Sequence, residues 1–105
     1  MKKRSANEPI HPGEILREEF LVPLGISANS LASQLDIPVN RLTEIVRGRR
    51  GISGESAILL GRVFETTPEF WLNLQSHYDL EIARAQISKD RLLRAERIAK
   101  TLRAA

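Results

Sequence analysis

Cysteine is absent from this sequence of 105 residues. The chain therefore holds no disulfide framework and no thiol nucleophile, which suits a reducing compartment. Long apolar runs are absent as well, so no segment is long enough to span a bilayer. The basic residues at the N-terminus lack the apolar stretch that follows them in a secretory signal. We expect a cytoplasmic protein that makes no contact with a membrane.

A large excess of one charge is also lacking, because 16 basic and 13 acidic residues give a net charge of +3. The distribution is nevertheless uneven. Lysine and arginine gather at positions 2–4, in the segment 41–50 and after residue 84, whereas the segment 63–83 contains only acidic charges. Such segregation indicates an anionic partner at one place on the protein and a different partner at another.

No stretch of useful length alternates in the two-residue period of a β-strand, whereas signals for helices recur along the chain. Pro12 suits a first helical turn, and four later residues are placed as N-caps of helices. These N-cap candidates are Ser27, Ser53, Thr67 and Ser88. Pro23 and Gly25 are predicted to end the first helix, and Pro38 to begin the third. The sequence therefore predicts an all-α fold.

The spacing from Ala28 to Arg47 is typical of a helix-turn-helix, with the small residue Ala32 where the two helices cross. In this motif the second helix lies in the major groove of DNA, with its N-terminal residues at the base edges. Spacing of this kind also occurs in small helical proteins that bind no DNA. The residues that we expect to face bases are Val39, Asn40, Arg41, Thr43 and Glu44.

The chemistry of these residues fits base recognition. Asn40 can contact adenine through two hydrogen bonds and Arg41 can do the same with guanine, each pair giving roughly 1–3 kcal/mol of discrimination. Val39 can touch a thymine methyl group. Glu44 can accept from the amino group of cytosine, or it can instead orient Arg41 three residues earlier in the helix.

Arginines that follow this helix are candidates for phosphate contacts, because guanidinium groups pair with phosphate through two hydrogen bonds. They are Arg47, Arg49 and Arg50. Ser27 and Asn29, at the start of the preceding helix, can add neutral contacts to the backbone. A cluster of arginines is often only a solvated surface, but here it falls where the motif needs phosphate contacts.

Four large residues of the fifth predicted helix offer more apolar surface than so small a chain covers alone. They are Phe70, Trp71, Leu74 and Tyr78. We expect them to form a dimer interface, with the intrachain core as the alternative. A twofold dimer would place two recognition helices about 34 Å apart, one turn of DNA, on successive major grooves.

Catalytic and metal-binding patterns are not found in the sequence. His11 precedes Glu14, and His77 precedes Asp79, but two histidines without a third convergent ligand do not make a metal site. Neither a nucleophile motif nor a glycine-rich phosphate loop is present. We therefore predict a protein that is not an enzyme and that needs no cofactor.

Three blocks of the sequence resemble those of HigA/VapI-type antitoxins, a branch of the Xre/Cro/CI helix-turn-helix regulators. The blocks are "IHPGEILREEFLVPLGIS", "RLTEIVRGRRGIS" and "TPEFWLNLQSHYDLEIAR". The resemblance implies a five-helix, lambda-repressor-like domain that forms a homodimer, binds a palindromic operator in its own operon and neutralises a HigB-type mRNA interferase toxin. It also places Arg47 and Arg49 near phosphates and "PEFWLNLQ" in or near the dimer contact.

This reading divides the chain into a flexible basic N-terminal arm at 1–10, a DNA-binding and dimerisation domain at 11–85 and a basic C-terminal helix or tail at 86–105. The tail is an addition to the family pattern. Two residues of the motif also depart from it. Asp36 stands where glycine is frequent and is expected to adopt a left-handed conformation. Pro38 replaces a Ser or Thr N-cap, so the cap moves to Asp36 or is lost.

Two alternatives remain at the level of the sequence. One is a stand-alone Xre-type transcriptional regulator without a toxin, and the other is a helical protein-interaction module that does not bind DNA. The surface that would capture a toxin is equally open, with the N-terminal arm, the first helix and the acidic segment as candidates.

Overall fold

The structure, a computed structural model, describes residues 8–105, and these form six helices without a strand. Helix α1 covers residues 12–24 in three consecutive parts, Pro12–Ile15, the π-helical Leu16–Leu21 and Val22–Leu24. The others are α2 Ala28–Leu35, α3 Val39–Val46, α4 Gly54–Phe64, α5 Pro68–Gln86 and α6 Lys89–Ala104. The predicted all-α fold, with five helices and an extra C-terminal one, is confirmed. The predicted arm lies mostly outside the described residues, and the three-part division of the chain remains a prediction.

Hydroxyl side chains begin four of the helices, as predicted. Ser27, Ser53, Thr67 and Ser88 each accept a hydrogen bond from the backbone N–H three residues later, at 3.0 to 3.2 Å. Each bond satisfies one of the N–H groups that a helix leaves unpaired at its start. Helix α3 differs, because its N-cap is Pro38 and no side chain caps it. The cap of this helix is therefore lost rather than transferred to Asp36.

Pro23 does not end the first helix, which corrects the prediction. The chain stays helical to Leu24, and Gly25 ends the helix in a left-handed conformation with φ 65°. The turn before Pro23 is π-helical, with the N–H of Val22 donating to the carbonyl of Arg17 five residues back. Proline clashes with the carbonyl four residues earlier in a regular α-helix. The wider turn lies directly upstream of the proline, where that clash would otherwise arise.

Trp71 lies at the centre of the core, with no exposed surface. Its ring packs 5.1 Å from those of Phe20 and Phe70, and its Nε1–H donates to the hydroxyl of Thr66 at 2.8 Å. The prediction that Trp71 belongs to a dimer interface is therefore wrong. A side chain enclosed by its own chain has no surface left for a partner. The same core contains five aliphatic residues with no exposed surface, Leu16, Ala32, Ile45, Ala57 and Leu60.

Helix α6 contributes no residue to this core. Every residue of the helix is exposed, including Leu92 at 47% and Leu102 at 70%. No residue of this helix is therefore buried against the rest of the described chain. Among residues 8–105 we find no helix that is long and apolar enough to cross a membrane.

Candidate nucleic-acid interface

Helices α2 and α3 are joined by a three-residue turn that sets their crossing. Asp36 adopts a left-handed conformation, with φ 57° and ψ 45°, as predicted. The N–H of Ile37 donates to the carbonyl of Ala32, which closes the end of α2. Ala32 is fully buried, and a larger side chain there would push the helices apart. The local geometry is therefore that of a helix-turn-helix.

One side of α3 is anchored and the other is open. Leu42 and Ile45 are buried in the core, whereas Val39 is 43% exposed and Asn40 is exposed. The other predicted base-reading residues, Arg41, Thr43 and Glu44, are half-buried. The hydroxyl of Thr43 donates to the carbonyl of Val39 within the helix. The first two residues of α3 are thus the most accessible part of the predicted reading surface.

Two ion pairs lie on this surface, and neither joins the residues that the sequence suggested. Arg41 donates through Nη1 to Oε1 of Glu55 in the first turn of α4. Glu44 accepts from Nε and Nη2 of Arg50, at 3.0 and 2.7 Å. The interpretation that Glu44 orients Arg41 is therefore wrong. Glu55, which sequence reasoning missed, is the residue that contacts Arg41.

At the end of α3 the chain turns at a glycine in the left-handed conformation, with arginines on both sides of it. Gly48 has φ 76°, and the N–H of Arg49 donates to the carbonyl of Glu44 at 2.8 Å. Arg47 and Arg49 are exposed, and within the described residues they form no ion pair. Both guanidinium groups are therefore available to phosphate, whereas that of Arg50 is shared with Glu44.

The two residues at the start of α2 that are predicted to contact the DNA backbone differ in how free their side chains are to do so. The Ser27 hydroxyl already accepts the N–H of Ser30 as the N-cap, but its own hydrogen can still be donated. Asn29 is exposed in the first turn. These two residues remain predictions for neutral contacts to the DNA backbone.

Helix α1 holds the C-terminal end of α3 through a very close approach. A Cβ atom on Gly13 would lie 1.7 Å from the carbonyl oxygen of Ile45, so only glycine fits. The two helices therefore meet backbone to backbone at the end of the recognition helix. The sequence analysis gave Gly13 no role of its own and missed this contact.

His11 fixes the start of α1 beside the same contact. Its Nδ1 accepts the N–H of Gly13 at 2.9 Å, and its ring meets that of Tyr78 edge to face, with centroids 4.8 Å apart. Burial lowers the pKa of His11 below its usual 6.5, although the charge of Asp79 acts in the opposite direction. The neutral ring is the form that can accept this hydrogen bond.

No group of three or more metal-ligating residues lies together in the described part of the chain.

A glutamine of α5 holds the loop between α3 and α4. The side-chain oxygen of Gln75 accepts the N–H of Ile52 at 2.6 Å, and the same amide lies against Gly51. Ile52 is itself buried. The arginine-bearing loop is therefore fixed at its far end, and this contact was also missed from the sequence.

The predicted dimer residues of α5 are not equally placed. Phe70 is 37% exposed, whereas Leu74 and Tyr78 are half-buried against their own chain. Leu72 and Leu80, at 39% and 50%, present more apolar surface on this helix. Phe70 therefore remains the best placed of the predicted residues, and the two leucines are additional candidates.

An anchored second helix, an open reading surface and flanking arginines define a helix-turn-helix protein. The helix-turn-helix family model HTH_3 matches residues 16–71, more than half of the chain, and the chain belongs to this family. It is 51% identical over 74 residues to Virulence-associated protein I of Dichelobacter nodosus, covering 70% of this chain and 68% of that protein.

Solved structures give the same result. Antitoxin HigA of Pseudomonas aeruginosa, solved with the higBA promoter, is 47% identical with a TM-score of 0.72 over 78% of this chain and 98% of its own. PA4674 of the same organism, in complex with 18 bp of operator DNA, is 51% identical with a TM-score of 0.75 over 79% and 89% of the two chains. The resemblance to HigA/VapI-type antitoxins is confirmed.

Proposed function

We propose that this chain is a sequence-specific DNA-binding antitoxin that represses its own operon as a homodimer and neutralises a HigB-type mRNA interferase toxin. The observation that carries the DNA-binding part is the two-sided environment of α3. Leu42 and Ile45 anchor the helix, while Val39 and Asn40 stand free at its N-terminal end. That is the end which a helix-turn-helix presents to base edges.

The phosphate contacts in this proposal come from the arginines after α3. Arg47 and Arg49 have no acidic partner in the described chain, so binding phosphate does not require them to break an ion pair. The relatives solved with operator or promoter DNA support the DNA-binding part of the proposal. As an antitoxin of this kind, the chain has no catalytic role and acts in the cytoplasm, where its DNA target lies.

Replacing Asn40 with alanine tests the base-reading assignment. We expect Asn40→Ala to weaken binding to DNA from upstream of its own gene by about 5- to 100-fold, with little change for random DNA, because only a base contact distinguishes sequences. Titration of both duplexes at one physiological salt concentration measures this. Equal losses on the two duplexes would remove Asn40 from base reading.

Arg49→Ala provides the matched variant for phosphate contacts. It is expected to weaken both duplexes alike and to reduce the slope of log K against log salt by about one charge, because a phosphate contact releases a counterion whatever the sequence. A slope that stays at the wild-type value would place Arg49 away from the DNA backbone.

Toxin neutralisation is tested by expressing the chain with the product of the neighbouring gene. Restored growth and a stable complex on gel filtration are the expected results. A neighbouring product that is neither toxic nor bound would leave the chain as a stand-alone regulator.

A further inference from the structure

Acidic side chains are unfavourable on a surface that meets phosphates, yet Glu55 is placed on this one. Its carboxylate belongs to the first turn of α4 and contacts Arg41 of α3, fourteen residues earlier in the chain. The side chain of Glu55 is 68% exposed, whereas that of Arg41 is 26% exposed. The carboxylate is therefore the outer partner of the pair, and it adds negative charge to the predicted DNA-facing surface.

The pair restricts Arg41 without occupying all of it. A guanidinium group has five N–H donors in a fixed plane, and Glu55 contacts only Nη1. The donors on Nη2 and Nε, at other edges of the same plane, stay available for the O6 and N7 acceptors of guanine. A side chain that is already oriented loses less conformational entropy on binding.

From this geometry we propose that Glu55 is a positioning residue that sets the sequence specificity of the interface. It orients Arg41 for a hydrogen bond with a base. Its negative charge also repels the phosphates of DNA, which weakens binding to a sequence that lacks the base that Arg41 recognises. Specificity is a difference between two affinities, and a repulsive group that acts on the wrong partner increases that difference. This inference rests on the proposed DNA-binding function.

Glu44 forms a comparable pair with Arg50, but it makes a poorer test. Glu44 is itself a predicted base-reading residue, so its substitution would change two roles at once. Glu55 is not predicted to reach a base, and among residues 8–105 its side chain pairs only with Arg41. Substitution of Glu55 therefore isolates the effect of the pair.

An acidic residue in a first helical turn also stabilises the helix through the helix dipole. The chain offers a matched control for that general effect. Asp90 lies in the first turn of α6, outside the expected dimer interface, is exposed and forms no ion pair within the described residues. Asp90→Asn removes one negative charge from the same helical position without touching an arginine of α3.

The experiment compares Glu55→Gln and Asp90→Asn with the wild-type chain on upstream DNA and on random DNA, at several salt concentrations. For Glu55→Gln we expect random DNA to bind more tightly and the ratio of the two affinities to fall by about fivefold or more. Asp90→Asn is expected to keep the wild-type ratio. Thermal unfolding verifies that each variant is folded at the assay temperature.

A double variant separates positioning from bulk charge. In the Arg41→Ala background, Glu55→Gln is expected to lower the affinity ratio less than it does in the wild-type chain, because the side chain that it positions is gone and only its repulsion of phosphates remains. An unchanged ratio for Glu55→Gln alone, or an equal fall with and without Arg41, would overturn the inference. A wild-type chain with no preference for the upstream DNA would overturn the proposed function and this inference with it.

Discussion

At the scale of single residues, the recognition helix is held by residues outside the motif. Gly13 allows the backbone of α1 to meet the carbonyl of Ile45 at the end of α3. His11 fixes the start of α1, and Gln75 holds the loop after α3. The orientation of the reading surface therefore depends on contacts that lie 23 to 32 residues away in the chain.

Gly13→Ala tests the closest of these contacts. A methyl group 1.7 Å from a carbonyl oxygen cannot be accommodated unless α1 and α3 move apart. Overpacking of this kind typically costs about 1–3 kcal/mol, and backbone on both sides places this case at the upper end. Urea unfolding of the variant and the wild-type chain measures the difference in the free energy of unfolding.

The matched control is Gly54→Ala at the start of α4. A Cβ atom there meets nothing within 4 Å, and the residue does not have a positive φ. Alanine in such a position is expected to leave stability unchanged or to raise it by up to about 1 kcal/mol. If both variants were equally stable, the close approach at Gly13 would not be a constraint in solution.

At the scale of elements, α6 differs from the other five helices because it is formed but not packed. Six basic and two acidic residues give it a net charge of +4, which exceeds the +3 of the whole chain. The rest of the chain therefore carries a net charge of −1. Ser88 supplies its N-cap, yet no residue of the helix is buried. Local sequence accounts for this helix, whereas tertiary contacts account for the others.

Ending the chain after Ile87 is expected to change the free energy of unfolding by less than about 1 kcal/mol. Surface positions without buried contacts contribute little to stability. Chemical unfolding of the shortened and full chains, each followed by far-UV circular dichroism, measures this.

Trp71→Ala, which empties the centre of the core, serves as the positive control and is expected to cost about 3–5 kcal/mol. A large loss on removing α6 would show that this helix packs on the core in solution.

At the scale of the whole molecule, one recognition helix offers too little surface for a specific site. We expect two chains to bind together, with the exposed part of α5 between them. Phe70 is the predicted interface residue with the most surface left, whereas Trp71 is enclosed. Leu72 and Leu80 extend the apolar surface along the same helix.

Phe70→Ser is therefore expected to shift the protein toward the monomer. Truncating an aromatic residue at the centre of an interface costs about 2 kcal/mol or more, which raises the dimer Kd at least about tenfold. Sedimentation equilibrium over a range of concentrations measures the change.

Leu102→Ser on α6 removes an even more exposed apolar side chain outside the expected interface. It is expected to leave the dimer Kd at the wild-type value. A dimer that tolerates Phe70→Ser but not Leu102→Ser would move the interface from α5 to α6.

Local patterns in the sequence were sufficient to predict the helices and most of their starts. A hydroxyl N-cap bonds to an N–H group only three residues later. The cap residues could therefore be predicted without tertiary structure, and they are Ser27, Ser53, Thr67 and Ser88. The helix-turn-helix spacing was readable for a similar reason, because helical period fixes which residues share a face. The arginines after α3 followed from their place in that spacing.

Contacts between side chains from distant segments could not be predicted in this way, because they depend on how the whole chain packs. Trp71 could be predicted to be buried, but whether its own chain or a second chain covers it depends on how α1, α4 and α5 pack. The pairing of Arg41 with Glu55 depends on the angle between α3 and α4, and the need for glycine at position 13 depends on the approach of α1 to α3. Periodicity reports which face of a helix is apolar, whereas contacts between helices depend on the packing of all of them together.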